Sequence, residues 1–80
     1  MQELNLQPGD CVYYDDHNAL GVLLERLPPL RGDRNHRWVY SLRSPLFHHR
    51  DMIVTRIYTT SEDKLINFIN EGHLVYYAKI

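Results

Sequence analysis

The stretch that most constrains the fold of this chain is a hairpin signal near its start. Pro8-Gly9-Asp10 leads into Cys11-Val12-Tyr13-Tyr14, a run rich in β-branched and aromatic residues. Four polar residues follow, and a second apolar run then begins with Ala19-Leu20-Gly21-Val22. A turn, a short apolar run, a brief polar gap and another apolar run are typical of two antiparallel strands. The stretch therefore predicts the first hairpin of a small β-sheet protein.

Three more strands are predicted by the same alternation of short apolar runs and turn residues. The second run, Ala19–Leu27, must end at Pro28-Pro29, because proline donates no hydrogen bond to a neighbouring strand. Since this run is apolar almost throughout, we expect it to be covered on both faces or strongly curved. Gly21 lies where such a strand could bend or allow the close approach of another backbone. The later runs predict strands over residues 37–43, 52–59 and 74–80.

Period-2 alternation indicates which side chains of these strands form the core. We expect Trp38, Tyr40 and Leu42 on the buried face of the third strand. In the fourth strand, we expect Ile53 and Ile57 to point inside.

A short helix is predicted between the fourth and fifth strands. Thr60 has the residue type of an N-cap, and Asp63 follows three residues later, in the spacing of a capping box. Four apolar residues then fall on one face at helical spacing: Leu65, Ile66, Phe68 and Ile69. Gly72 is a suitable residue to end the helix. Such a helix is too short to be stable alone, so we expect it to cover one end of the sheet.

Arginines are concentrated in the middle of the chain, which contains both predicted loops, residues 27–36 and 46–51. From Arg26 to Arg56 there are seven arginines and two acidic residues, a net charge of +5, although the whole chain carries −1. The planar guanidinium suits phosphate and carboxylate groups and stacks on rings. The middle segment is therefore predicted to face an anionic partner. The alternative is that folding interleaves both signs into an ordinary surface.

Three motifs occur in a characteristic order along the first half of the chain. Pro8-Gly9-Asp10 precedes one strand, Leu20-Gly21-Val22 lies in the next, and Trp38-Val39-Tyr40 lies in the third. This order, over residues 6–43, resembles that of SH3-like small barrels of the Tudor and KOW kind. The resemblance implies a mainly β fold: a five-stranded SH3-like barrel with one short α-helix before the last strand. Chain size and the helix also resemble those of small accessory proteins of bacteriophages.

The chain departs from these families in two respects. The ALYDY segment of signalling SH3 domains and its aromatic groove are absent, so binding of proline-rich peptides is not implied. A helix over residues 62–71 stands where the family has a single 3₁₀ turn, which alters an end of the barrel that commonly binds partners.

Length and cysteine content limit the class of protein. Eighty residues predict one domain over residues 1–80. Cys11 is the only cysteine in the sequence, which excludes an intramolecular disulfide and a metal site built on a cysteine pair. The N-terminus lacks the basic start and apolar run of a signal peptide, and no window has the length of a membrane span. We expect a cytoplasmic protein that does not associate with a membrane.

Few residues have the pattern of a catalytic or metal site. His36, His48 and His49 with Asp51 could bind a metal only if two loops converge, and ordinary loop histidines are the alternative. Cys11 has no neighbouring base, which favours a buried or half-buried thiol over a nucleophile. The pair Asp15-Asp16 favours a solvated turn over a carboxylate site. We therefore expect neither an enzyme nor a cofactor.

Two kinds of binding function remain. A protein-binding module is favoured by the stiff Pro28-Pro29 loop and by Leu46 and Phe47, apolar residues in a predicted loop next to arginines. The alternative for Leu46 and Phe47 is that they fold back onto the core. The candidate partner-binding residues are Arg31, Arg34, His36, Phe47, His48, His49 and Arg50. An acidic protein surface is the leading partner, and self-association through the edge of the last strand is a further option.

Nucleic acid is the second candidate partner. The arginines are interleaved with four aromatic residues that could serve as stacking platforms for bases: Trp38, Tyr40, Phe47 and Tyr58. Trp38 and Tyr40 are however predicted core, and the sequence pI near 6.5 is low for a nucleic-acid-binding protein.

Overall fold

The computed structural model describes residues 4–78, which form one antiparallel sheet and one short helix. The elements are β1 (Cys11–Tyr14), a 3₁₀ turn (Asp15–His17), β2 (Ala19–Leu27), β3 (Arg37–His49), β4 (Met52–Ser61), α1 (Glu62–Asn70) and β5 (Val75–Tyr77). The strand order is β4-β3-β2-β1-β5, so the chain passes from one edge of the sheet to the other through α1. The predicted mainly β fold, with five strands and a helix before the last one, is confirmed. Within residues 4–78, β4 and β5 are the two edges and do not pair with each other.

The opening turn is held by the buried carboxylate of Asp10. The backbone N–H of Gln7 donates a hydrogen bond of 2.8 Å to Asp10 Oδ2, and the hydroxyl of Tyr76 donates one of 2.6 Å to the same oxygen. Burial and this bond to Asp10 raise the pKa of Tyr76 to about 12. Gly9 adopts a φ of 95° and its N–H donates to the carbonyl of Leu23. One acidic side chain thus connects the first turn with the last strand.

Strand β2 has the predicted bounds, and of the two alternatives for its apolar run, cover on both faces is wrong. Leu20 and Leu24 are exposed, and the pairing with β3 shifts between Leu23 and Glu25, which indicates a bulge. Gly21 is buried between its neighbours on β1 and β3. A Cβ added there would lie 2.9 Å from Val12 Cγ2 and 3.4 Å from the carbonyl oxygen of Ser41. The close approach predicted at Gly21 is therefore confirmed.

The hydrophobic core lies between one face of the sheet and α1. The fully buried members of its cluster are Leu6, Val12, Leu23, Trp38, Leu65 and Leu74. Trp38 is inaccessible to solvent, as predicted, whereas Tyr40 and Leu42 are half-buried. We call this side of the sheet the covered face and the opposite side the open face.

The helix begins one residue later than the capping pattern predicts. Ser61, not Thr60, is the N-cap, and its hydroxyl accepts a hydrogen bond of 3.2 Å from the N–H of Lys64. Leu65 is buried, and the other apolar residues of the helix pack against the core cluster. Gly72 follows the helix with a φ of 83°, a conformation that favours glycine. Strand β5 is shorter than the predicted span 74–80, of which residues 79 and 80 lie outside the described part of the chain.

Two predictions for β3 and β4 are wrong. The segment 46–51 is not a loop, because β3 continues to His49 and joins β4 through a two-residue turn. Ile53 and Ile57 do not point inside. Ile57 pairs with Ser41, and directly opposed residues share a face of an antiparallel sheet, so Ile57 lies on the face opposite Trp38. Both isoleucines are exposed on the open face.

The long β3–β4 hairpin gives the molecule an elongated shape of 41 × 27 × 23 Å. None of the helices in residues 4–78 has the length and apolar character that crossing a membrane requires.

Candidate binding surface on the β3–β4 hairpin

The distal part of the β3–β4 hairpin, residues 43–56, carries four of the predicted partner-binding residues. We call it the hairpin surface. His49 pairs with Met52, and the two residues between them form the turn. Arg50 and Asp51 have φ values of 51° and 66°, the left-handed conformations of a type I′ turn. An arginine at such a position is uncommon, because a side chain with a Cβ adopts positive φ at an energetic cost.

A wide irregularity separates the hairpin surface from the regular part of β3. The pairing between β3 and β4 is lost between Arg43 and His48, where Pro45 cannot donate a ladder hydrogen bond. Ser44 is buried, and its hydroxyl accepts a bond of 3.2 Å from the N–H of Leu46. The side chain of Leu46 is 66% exposed. The interruption thus orients an apolar side chain toward solvent.

Apolar side chains are exposed on both strands of the hairpin surface. Met52 is 69% and Ile53 47% exposed, and Leu46 lies on the neighbouring strand. Phe47 is half-buried, with the guanidinium carbon of Arg56 4.3 Å from the centre of its ring, a cation–π contact. Neither Leu46 nor Phe47 joins the core cluster. The alternative in which both fold back onto the core is therefore not what the structure shows.

The hairpin surface has a positive net charge, and its arginines form no ion pairs within residues 4–78. The surface has three arginines and one acidic residue, which give it a net charge of +2 when its histidines are neutral: Arg43, Arg50, Arg56 and Asp51. None of these three arginines forms an ion pair with another described residue. Such guanidinium groups remain free to contact carboxylates or phosphates.

A shallow cleft of about 250 Å³ adjoins the hairpin surface on the open face. Its lining includes Tyr13, Leu20, Pro45 and Ile53, together with Arg43. Sequence reasoning missed Tyr13 and Leu20, although the apolar residues at successive positions of β2 already signalled that both faces of that strand carry apolar groups. An apolar cleft beside an arginine suits an apolar side chain that is followed by an acidic one.

The other predicted binding residues lie far from the hairpin surface. Arg31, Arg34 and His36 are on the loop between β2 and β3. This loop and the β3–β4 turn are at opposite ends of β3. Arg37 pairs with Ser61 and His49 with Met52, so the two ends are separated by roughly 30 Å at the usual strand rise along β4. The structure therefore divides the seven predicted residues into two separate basic clusters.

The same separation argues against the predicted metal site of His36, His48, His49 and Asp51. His36 is at one end of β3, whereas His48, His49 and Asp51 are at the other, so the required convergence of loops does not occur. No group of three or more potential ligands from His, Cys, Asp and Glu is found in the part of the chain that the structure describes. Cys11 is half-buried on β1, as predicted. Asp15 and Asp16 lie in an exposed turn between β1 and β2, which is also as predicted.

Two of the four aromatic side chains predicted to stack on nucleic-acid bases belong to the core or pack against it. Trp38 is buried, and Tyr40 stacks on Tyr58 with ring centres 5.8 Å apart. Burial and the proximity of Tyr14 raise the pKa of Tyr40 to about 12. Tyr40 packs against the core cluster, whereas the exposed Tyr58 and the half-buried Phe47 are not part of it.

The end of the sheet near α1 contains a polar network with a structural role. The guanidinium of Arg26 donates two hydrogen bonds, of 2.9 and 2.8 Å, to the carboxylate of Glu62. The indole N–H of Trp38 donates a third, of 3.0 Å, to Glu62 Oε1. These bonds, that from Arg26 foremost, hold the pKa of Glu62 below its usual value. A cleft of about 220 Å³ beside this network is lined partly by residues 4–8, but its charged groups already have partners.

Comparison of the chain with known protein families, curated proteins and solved structures finds no match.

Proposed function

We propose that this protein is a small, non-enzymatic binding module whose hairpin surface contacts an acidic surface of a partner protein. The observation that carries the proposal is the combination, on one hairpin, of exposed apolar side chains with arginines that form no ion pair within residues 4–78. Centres of protein interfaces are enriched in aromatic residues, methionine and arginine. Phe47, Met52 and the arginines at 50 and 56 match that composition.

Arg50 gives additional support. Its left-handed backbone conformation would suit asparagine or glycine better, and yet an arginine stands there. Residues held in unfavourable conformations are concentrated at functional sites. An arginine at the tip of a hairpin also reaches a partner first.

The proposed recognition unit pairs an acidic side chain with an apolar one. A carboxylate of the partner would accept hydrogen bonds from the guanidinium of Arg43 or Arg50. A neighbouring apolar side chain of the partner would occupy the cleft lined by Pro45 and Ile53. The cluster at Arg31 and Arg34 is too distant to contribute to the same small contact.

We also propose that the sheet curls into an SH3-like barrel of the Tudor and KOW kind. Support comes from the strand order, in which β5 returns to pair with β1 after the chain has crossed through α1. Because β4 and β5 do not pair within residues 4–78, the proposed barrel is one in which the edge of β4 stays open. A solution structure in which the sheet curls around the core would support it, and a flat sheet would refute it.

Quantitative capture from cells that naturally contain the protein tests the binding function. The tagged protein is compared with two matched variants, Arg43→Gln/Arg50→Asn in the hairpin surface and Arg31→Gln/Arg34→Gln in the distant loop. Each variant loses two positive charges, so a general charge effect lowers both captures equally. We expect the first variant to lose the captured proteins and the second to retain them.

A nuclease arm distinguishes the two partner classes. Capture that survives nuclease treatment supports a protein partner. If capture disappears with nuclease, and the purified protein binds a labelled single strand with an affinity that falls steeply with salt, nucleic acid is the partner instead. Equal capture by both variants would move the binding surface away from the hairpin.

A further inference from the structure

Strand β4 is a sheet edge with few of the features that usually prevent two edges from pairing. Natural edge strands are short, or carry lysine, proline or a bulge. Strand β4 has ten residues, none of them lysine, proline or glycine, and Arg56 is its one charged residue. Its pairing with β3 is regular from Thr55 to Ser61. The opposite edge, β5, is three residues long.

The middle of β4 is uncovered on both faces of the sheet. All five residues over positions 55–59 are exposed, although they lie within a strand. Ile57, on the open face, is 59% exposed. Arg56 and Tyr58 are on the other face, opposite Leu42 and Tyr40 of β3. A strand with exposed apolar side chains and a free row of backbone groups is a template for another strand.

We propose that β4 pairs with β4 of a second copy of this chain, antiparallel and about a two-fold axis through Ile57. The two sheets would then form one continuous ten-stranded sheet in a homodimer. Two-fold symmetry makes the contact self-complementary, so the same edge serves both subunits.

The side chains of β4 select this register. A two-fold axis perpendicular to the sheet places one residue opposite its own copy. Axes through Arg56 and through Ile57 pair the most residues, 52–60 and 53–61 respectively. The axis through Arg56 would set two guanidinium groups opposite each other, and like charges in directly opposed positions are destabilising.

The axis through Ile57 instead forms favourable pairs. Ile57 meets its own copy on the open face, and Thr55 meets Thr59 beside it. On the other face, Arg56 lies opposite Tyr58 of the second copy, so no two like charges are directly opposed. The two β3–β4 turns then point to opposite ends of the dimer, and residues 43–52 of each hairpin surface lie outside the paired segment 53–61.

Sedimentation equilibrium of the purified protein, from micromolar to millimolar concentration, tests the dimer. We expect the mass to rise from the 9.5 kDa of one chain to twice that value. The variant Thr55→Lys/Thr59→Lys places like charges opposite each other and should abolish the dimer. The variant Thr55→Lys/Thr59→Glu places opposite charges there and should retain it. A wild-type monomer at every concentration, or equal behaviour of the two variants, would overturn the proposal.

Disulfide trapping tests the register independently. In a Cys11→Ser background, Ile57→Cys should form a disulfide-linked dimer under mild oxidation, because opposed residues of antiparallel strands have the Cα separation that a disulfide needs. Thr55→Cys and Thr59→Cys should cross-link when mixed but not when oxidised separately. Circular dichroism confirms that each variant is folded, and cross-linking of Thr55→Cys with itself would contradict the register. Because Thr55 lies within the hairpin surface, the two proposals are separated by the variant Arg43→Gln/Arg50→Asn, which leaves residues 53–61 unchanged and should sediment like the wild-type protein even though it loses partner capture.

Discussion

The two ends of β3 differ in what they do with charge and apolar surface. Near α1, Trp38 is completely buried and Arg26 is paired with Glu62. At the hairpin end, Leu46 is exposed and Arg50 has no ion pair with a described residue. Buried, paired groups stabilise a fold, whereas exposed apolar and unpaired charged groups together indicate a surface for a partner. The contrast supports the proposal that one end of the sheet stabilises the fold and the other binds a partner.

The largest expected effect is on stability at the end near α1. Trp38→Ala removes the largest side chain of the core and should lower the free energy of unfolding by about 3–5 kcal/mol. The matched change at the hairpin end, Leu46→Ala, should alter it by less than about 0.5 kcal/mol, since the side chain is mostly in solvent. Urea denaturation followed by circular dichroism measures both. Equal costs would remove the distinction between the two ends.

An intermediate effect is expected from the Glu62 network. Glu62→Ala leaves the indole N–H of Trp38 and the guanidinium of Arg26 without their acceptor, and should cost about 1–3 kcal/mol of unfolding free energy. Asp63→Ala removes an exposed acid from the same turn of α1 and should cost under about 1 kcal/mol. The difference between the two urea midpoints isolates the hydrogen bonds from the helix-terminus charge. Equal midpoints would show that the network adds nothing.

The same network predicts a pH dependence. Because the pKa of Glu62 is lower in the folded protein than its ordinary value of 4.5, its ionisation stabilises the fold above pH 4.5. This contribution is lost as pH falls through the folded pKa. The stability difference between wild type and Glu62→Ala should therefore shrink in urea titrations below pH 4.5. A difference that stays constant to pH 3 would contradict the assignment.

A smaller stability effect than that of Trp38→Ala or Glu62→Ala is expected at the hairpin turn. Asparagine tolerates a φ of 51° better than alanine, so Arg50→Asn should be more stable than Arg50→Ala by about 1 kcal/mol. Both variants lack the guanidinium, and both should lose partner capture to the same extent. Arg50→Lys keeps the positive charge and should therefore keep more of the capture than either of them. Thermal denaturation measures the first property and capture the second. Capture that follows stability instead of charge would assign Arg50 a structural role.

Local sequence signals predicted the regular part of the fold well. The bounds of β1 and β2, the buried Trp38 and the close approach at Gly21 all follow from turn residues, period-2 alternation and side-chain size. These features depend on neighbours in sequence or on one strand's own pattern, which a sequence displays directly.

The candidate site was harder to predict, because it depends on strand pairing. The Arg50-Asp51 turn lacks the glycine or asparagine typical of a type I′ turn, so residues 46–51 resemble a loop. Ile53 and Ile57 are apolar and β-branched like core residues, and the ladder register alone places them on the open face. The distance between the clusters at Arg31 and Arg50 likewise follows from the unexpected length of β3.

The most direct test of the division between the two ends is quantitative partner capture by the two charge-matched variants, with the melting temperature measured on the same samples. We predict that Arg43→Gln/Arg50→Asn loses the captured protein while it keeps a melting temperature close to that of wild type. Arg31→Gln/Arg34→Gln should retain the captured protein. Loss of capture only in the second variant would contradict the account and place recognition on the loop between β2 and β3.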